Sequence, residues 1–479
     1  MKLEIFNMYI TILLVILITS TYTVNAFMKN GNNMKVIENG KNYSQVLELS
    51  LLFYEAQRSG KLPKDNRIPW RGDSALNDRG SNGEDLTGGY YDAGDFVKFG
   101  FTMVSAMTLL AWGVVSWPEA YNISNQLDEI HKTIKWATDY VIKCHVSENV
   151  LYGQVGNFND DHRFWGRPEE LPNNTVRPAY KIDPEHPGSD LAGETAAALA
   201  ASSIVFANVD PEYSAECLKH AEQLYKFANT YRGLYHEAIP NAKQFYESTG
   251  YGDELAWAAV WLFKATKNFV YLNDAVNHYQ QFHLDKRPNE FFYNNKIAGV
   301  QVLLAQLTRQ SKYQKAARDF CDFSMQEQTR TPKGLLYISK LGTLRHAANV
   351  AFVCLEATDF IEIDDSHKYC QFAKEQIDYM LGKTGRNYVV GYGRNSPKQP
   401  HHAASSCPDR PAPCGWREFD SNKSNPQILY GALVSGPNKR DLFRDMREED
   451  IYTEVMVDYN AGFTSALAGL LHCIMKSII

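Results

Sequence analysis

The sequence predicts an all-α fold, an α/α barrel of six helical hairpins. Three observations carry that reading. Helical periodicity runs through nearly the whole chain. Two kinds of helix alternate along it, one amphipathic and one apolar on every side. The connections into the apolar kind are long, and those into the amphipathic kind are short. A helix that is apolar all round must be buried all round. The apolar set therefore forms an inner ring, and the amphipathic set sheathes it.

The elements follow in order. An outer helix near 42–57 precedes the first inner one, "FTMVSAMTLLAWGVV" from Phe101. The outer helix 127–144 repeats Leu127, Ile130, Ile134, Ala137, Val141 and Cys144 at three- and four-residue steps, with charged residues between. "LAGETAAALAASSIVFA" from Leu191 is the second inner helix, and 214–229 the next outer one. "ELAWAAVWLFKA" from Glu254 pairs with 270–280, and "KIAGVQVLLAQL" from Lys296 with 312–325. "LRHAANVAFVCLEA" from Leu344, an outer helix near 367–381, and "NAGFTSALAGLLHCIM" from Asn460 complete six of each kind.

Residues 1–26 read as a secretory signal: Lys2, the short apolar run "MYITILLVILI", then small Ala26. No later stretch is apolar for long enough to span a membrane. Residues 27–479 are expected to form one domain, secreted and extracellular, and the expected state is a monomer. Sequons at Asn42, Asn122, Asn173 and Asn422 agree with secretion. A net charge of -6 gives no reason to expect a nucleic-acid partner. The 28 Tyr, 24 Phe and 8 Trp suit flat, hydroxyl-rich ligands, although cores also take aromatics. Among eight cysteines, Cys407 and Cys414 close the Pro-rich "CPDRPAPC" and are expected to be bonded. The other six fall mostly inside helices and read as buried free thiols.

The unusual motifs each sit just before an inner helix, so residues hundreds of positions apart are expected to line one cleft. "DAGD" (92–95) precedes the first inner helix, "DDHRFWGRPEE" the second and "ESTGYGDE" the third; "QPHHAASS" and "REEDIYTEVMVDYN" precede the last. Hydrolysis of a glycosidic bond needs one carboxylic acid to protonate the leaving oxygen and one carboxylate to activate water or attack. Asp92 and Asp95 share one loop. Glu454 supplies a third carboxyl, beside Tyr452 and Val455, in surroundings that favour its protonated form. Taken alone, Asp-Ala-Gly-Asp is an ordinary turn or helix cap, and a lone Glu is a solvated surface group. Zinc binding by His401 and His402 is disfavoured, because adjacent histidines point apart.

Six stretches, "WRGDSAL", "GGYYDAGDFVKFGF", "RPAYKIDPEHPGSDLAGETAAALAA", "GYGDELAWAAVWL", "GYGRNSPKQPHH" and "DYNAGFTSALAGL", resemble glycoside hydrolase family 9, the endoglucanase (cellulase) family. The resemblance runs from about Tyr43 to the C-terminus. It implies an (α/α)6 barrel, a β-1,4-glucan substrate and inversion at the anomeric carbon, with no cofactor needed for the chemistry. Asp95 matches the general base, Asp92 the aspartate that holds the water, and Glu454 the general acid. His162, Trp165, His401 and Tyr459 look like sugar contacts. For the histidines a structural role is the bland reading, and for Trp165 it is core packing. "STGYGDE" resembles the family's calcium loop, with Thr249, Gly250, Asp253 and Glu254 as oxygen ligands of a structural calcium. This loop is one residue shorter than usual, and acids at a helix start also complement its dipole.

Several positions depart from the family pattern. The Arg of His-His-Arg is Ala403. The Trp of Trp-Gly-Ser-Leu-Arg is Leu341, and the aromatic of the fourth inner helix's motif is Tyr293. Asp450 and Thr453 replace a Tyr and an Asn beside the acid. Two readings follow: a working endoglucanase with altered subsites, or a weakened or inactive relative that binds glycan.

Overall fold

The computed structural model describes residues 26–30, 33–38, 41–172 and 175–476. The signal-peptide reading falls on residues outside these, apart from Ala26, and so does the sequon at Asn173. Asn122 and Asn422 are exposed, and Asn42 is half-buried.

Twelve long helices form an (α/α)6 barrel. They are α1 (Tyr43–Ala56), α2 (Gly100–Ser116), α3 (Leu127–Cys144), α4 (Ser189–Phe206), α5 (Pro211–Thr230), α6 (Gly252–Thr266), α7 (Phe269–Gln281), α8 (Ile297–Thr308), α9 (Ser311–Gln326), α10 (Thr343–Ala357), α11 (Ile363–Met380) and α12 (Val457–Lys476). The inner helices are α2, α4, α6, α8, α10 and α12. Each packs on the next, and α12 packs back on α2, which closes the ring. Five outer helices lie on the inner helix just before them. The sixth outer position is taken by α1, which lies on α12. The first and last long helices thus make the one hairpin with no local connection.

The inner ring is filled by rings and by charge. Trp112 of α2 meets Trp257 and Trp261 of α6 edge-on at 5.4 and 5.9 Å, and Phe352 of α10 at 5.1 Å. Edge-to-face packing puts positive ring edges on negative faces. Lys296 Nζ, fully buried, lies 3.3 Å from Glu194 Oε2 and donates to Ser105 Oγ at 2.5 Å. These two buried charges are partners, which such burial requires.

Short turns join inner to outer helices. α6 and α8 end on Lys267 and Arg309 in the left-handed region (φ 58° and 55°), and α7 and α9 begin almost at once. The long connections gather at the N-terminal ends of the inner helices. They contain a four-stranded antiparallel sheet that the periodicity does not reveal: Lys98–Phe99, His145–Ser147, Val150–Val155 and Ala179–Ile182. Its strands are short and lie within loops, where no long alternating pattern develops. Among the described residues, no helix is long and apolar enough to cross a membrane.

Cys407 and Cys414 are bonded, as their spacing predicts. The reading of the other six as free thiols needs correction. Cys321 of α9 bonds Cys354 of α10, and Cys370 of α11 bonds Cys473 of α12; only Cys144 and Cys217 are free. A cysteine on the apolar stripe of a helix has the pattern of a buried thiol, and only the packing of two helices shows that it has a partner. Cys370–Cys473 closes a loop of 103 residues. Replacing both cysteines with serine is expected to lower the unfolding free energy by about 2–5 kcal/mol, read from denaturant melts under non-reducing conditions.

Candidate active site

Asp-Ala-Gly-Asp is a turn held from several directions. The Asp92 amide donates to Val97 O at 3.0 Å, and the Val457 amide donates to Asp92 O at 2.9 Å. Gln57 Nε2 donates to Ala93 O at 2.7 Å. The Ala403 amide donates to Gly94 O at 2.9 Å. The Gly94 amide donates to Glu454 Oε1 at 3.2 Å. Gly94 has an ordinary φ. Glycine is needed there because a Cβ would overlap the His401 carbonyl.

This packing brings the three predicted carboxyls to one cleft of about 410 Å3 at the mouth of the barrel. Asp92 is buried. Its Oδ1 accepts from Thr102 Oγ1 at 2.5 Å, and its Oδ2 from the Tyr246 hydroxyl. Burial raises its pKa well above the usual carboxylate range, against those two hydrogen bonds. Asp95 is half-buried, with Oδ1 accepting from the Val97 amide at 3.2 Å. Burial raises its pKa too, opposed by that amide and by the charges of His401 and Arg177. Glu454 is held well above the usual range by burial first and by Asp95 second. Its Oε1 accepts from the Val455 and Gly94 amides. The site thus contains two carboxyls, Asp92 and Glu454, whose protonated forms burial favours strongly, and a third, Asp95, pushed up to about 6.

The predicted contact residues divide. His162 faces Asp95, with Nε2 to Oδ2 at 3.7 Å. His401 donates from Nδ1 to Arg447 O at 2.7 Å, which turns Nε2 toward Glu454 Oε2 at 4.0 Å. Tyr459 lines the cleft beside Arg345, whose guanidinium lies 5.2 Å from its ring. Trp165 does not line the main cleft. It is 7% exposed, donates from Nε1 to Ser406 Oγ at 2.8 Å, and packs edge-on to His401 at 5.2 Å. The structure places it as a support behind His401, at the edge of a small recess beside Asp95. His402 caps a short helix and meets Gln57 at 2.8 Å, away from His401, so the two do not form a zinc pair.

Of the other lining residues, Tyr246 carries no local signature in the sequence, and Arg345 ends the motif that begins at Leu341. Tyr246 ends the short helix Pro240–Tyr246. Arg345 lies inside α10, where Asp458 Oδ2 accepts from its Nη1 at 2.8 Å. Phe158 and Phe245 add apolar wall. Leu341, 52% exposed, stands at the rim. Ala403 is buried at a helix start and offers no donor to the cleft. Neither nearby arginine replaces the missing one: Arg410 pairs with Glu169 and Glu170, and Arg417 with Glu418.

Glu254 of the predicted calcium loop is 0% exposed, and neither of its carboxylate oxygens has a hydrogen-bond partner. Burial, then Asp253, Asp190 and Glu194, raise its pKa well above the usual range. An oxygen-only site short of positive charge fits a hard cation. Asp253 Oδ2 accepts from the Lys296 amide at 2.7 Å, and Gly250 O from Ser248 Oγ at 2.7 Å, while Thr249 is exposed.

The family model of glycosyl hydrolase family 9 matches residues 43–467. Endoglucanase A of Bacillus pumilus is 44% identical over 450 residues, covering 90% of this chain and 66% of its own. Endoglucanase 10 of Arabidopsis thaliana is 42% identical over 463 residues, covering 90% and 88%. Among solved structures, an endoglucanase of the termite Nasutitermes takasagoensis superposes with TM-score 0.89 at 53% identity, covering 90% of this chain and 99% of that one. The C. cellulolyticum cellulase Cel9M in complex with cellobiose has TM-score 0.84 at 33% identity, covering 91% and 99%.

The tight fit of the turn gives a test. Gly94→Ala is expected to destabilise the fold by about 1–3 kcal/mol, as overpacking does, measured as a fall in the urea midpoint.

Proposed function

The chain belongs to glycosyl hydrolase family 9, and on that premise we propose that it is an endo-β-1,4-glucanase acting with inversion of configuration. The observation that carries the reading is the convergence of Asp92, Asp95 and Glu454 on one cleft, with Glu454 in surroundings that keep it protonated. Glu454 gives its proton to the glycosidic oxygen as the bond to the anomeric carbon breaks. Asp95 takes a proton from the water that attacks that carbon from the opposite face. Glu454 ends ionised and Asp95 protonated, and exchange with solvent restores both. Asp92, fixed by Thr102 and Tyr246, holds the water. His162, His401, Tyr459 and Arg345 meet the sugar hydroxyls and ring faces. The solved cellobiose complex of the related cellulase supports a β-glucan as the ligand class.

In the same reading, residues 27–479 form one catalytic domain that acts outside the cell as a monomer, after removal of the signal peptide. Glu254, Asp253 and the Thr249 and Gly250 oxygens would hold a calcium ion at the loop, and it would supply the positive charge that Glu254 lacks. A second reading, glycan binding without turnover, draws on the cleft's lack of an arginine at Ala403 and of an aromatic at Leu341.

Asp95→Ala and Glu454→Gln are each expected to cut reducing-sugar release from soluble carboxymethyl-cellulose or mixed-linkage glucan by about 10²–10⁴-fold. Binding to these glucans without release by the wild-type protein favours the second reading. The pH profile of kcat/KM is expected to be bell-shaped. Asp95 must be ionised, so activity is lost as pH falls through its raised pKa. Glu454 must be protonated, so activity is lost as pH rises through its raised pKa. The acid limb should therefore lie above the ordinary aspartate range near 3.8. Calcium at about a hundred times its Kd is expected to stabilise the protein by about 2.7 kcal/mol. Thermal melts with and without chelator should show the shift, and Glu254→Gln should remove it.

A further inference from the structure

Asp161 ends the short helix Phe158–Asp161, which is capped by Asn157. Its carboxylate is 5% exposed, and Oδ2 accepts from the Phe96 amide at 3.0 Å. That amide belongs to the residue after Asp95. One oxygen each of Asp95 and Asp161 and a ring nitrogen of His162 lie within 4.8 Å of one another. Two carboxylates this close, with little water, cannot both ionise freely.

Arg177 is the cation available to Asp161, with Nη1 3.8 Å from its Oδ1. Asp78 engages Arg177 more closely, at 2.8 Å from Nε, and also takes Lys98 Nζ at 2.8 Å. Along this buried chain Lys98 and Arg177 face Asp78, Asp161 and Asp95. Asp78 holds both cations at short range, so the uncompensated negative charge falls on Asp95 and Asp161. The other groups facing Asp95 are Asp92 on its own turn, His162 on the short helix, His401, and Glu454 and Asp450 just before α12.

We propose that Asp161 is a positioning residue for Asp95: it clamps the turn through the Phe96 amide and so fixes the direction in which the base meets the water. Both carboxyls titrate above the ordinary range, through burial first and, for Asp161, through Asp95 next. Asp161, pushed up to about 7, keeps its proton while Asp95, pushed up to about 6, ionises, so the pair presents one base and one neutral clamp. This inference rests on the proposed glucanase reading, in which Asp95 is the base.

The test compares wild type, Asp161→Asn and Asp161→Ala. Asparagine keeps an oxygen for the Phe96 amide and, like the protonated carboxyl, carries no charge. Its acid limb in kcat/KM on soluble β-glucan should coincide with the wild type, with plateau kcat and KM retained. Alanine should lower the plateau kcat by about tenfold or more with little change in KM, because the turn loses its clamp. Equal plateaus for Asn and Ala overturn the clamp. An acid limb for Asp161→Asn that moves down by about one pH unit overturns the neutral state of Asp161. Isotope-edited infrared titration of Asp-labelled protein, with Asp95→Asn identifying the Asp95 band, follows the same ionisation without turnover. If no glucan is hydrolysed, the glucanase reading fails, and the infrared titration still decides whether Asp161 keeps its proton while Asp95 ionises.

Discussion

The close approach of one backbone to another at Gly94 organises everything above the barrel. The turn that carries Asp92 and Asp95 lies directly on the chain at His401–His402, with no side chain between them. Four hydrogen bonds stitch that turn to residues near 57, 403 and 455. None is strong alone, since a net hydrogen bond contributes about 0.5–1.5 kcal/mol. Together they fix the carboxyls to elements that are themselves rigid. The Gly94 amide serves the fold and the site at once, because the oxygen it binds belongs to Glu454.

Buried charge has the same dual character here. Lys296 and Glu194 hold the inner ring together, and Lys98, Asp78 and Arg177 brace the loops above it. Within those groups each cation has a carboxylate partner. Toward the cleft the charges do not balance, and the surplus is negative. Such an imbalance is a cost to folding that persists where protons must move. Tyr246 and Thr102 hold Asp92 on its neutral side chains' hydroxyls rather than on a cation, which leaves that surplus in place.

Much of this was legible in the sequence, for a physical reason. A helix buried on all sides and a helix buried on one have different compositions, so the alternation of ring and sheath is written in the residues themselves. So is the side of the barrel that bears the loops. What periodicity cannot encode is the meeting of residues that lack a local signature. Tyr246 looks like an ordinary helical residue until the barrel closes. Asp161 stands next to His162 in the same motif, yet only the fold shows its carboxylate turned toward Asp95. Trp165 is divided between packing and site: most of its area is buried against His401 and Phe419, and its edge borders the recess beside Asp95. The two helix-to-helix disulfides were hidden by their own good fit to an apolar stripe.

The pairing of α1 with α12 has a consequence for synthesis. Until the last helix leaves the ribosome, the first has no inner neighbour to lie on, and Glu454 has not yet met the turn it shares with Asp95. A partly made chain is therefore an open spiral of helices with exposed apolar edges and no assembled cleft. Completion of the ring buries those edges and creates the site in one late step. Such long-range closure is slow in folding, so the nascent protein stays chemically silent, and most in need of shielding from its neighbours, until its final turns are in place.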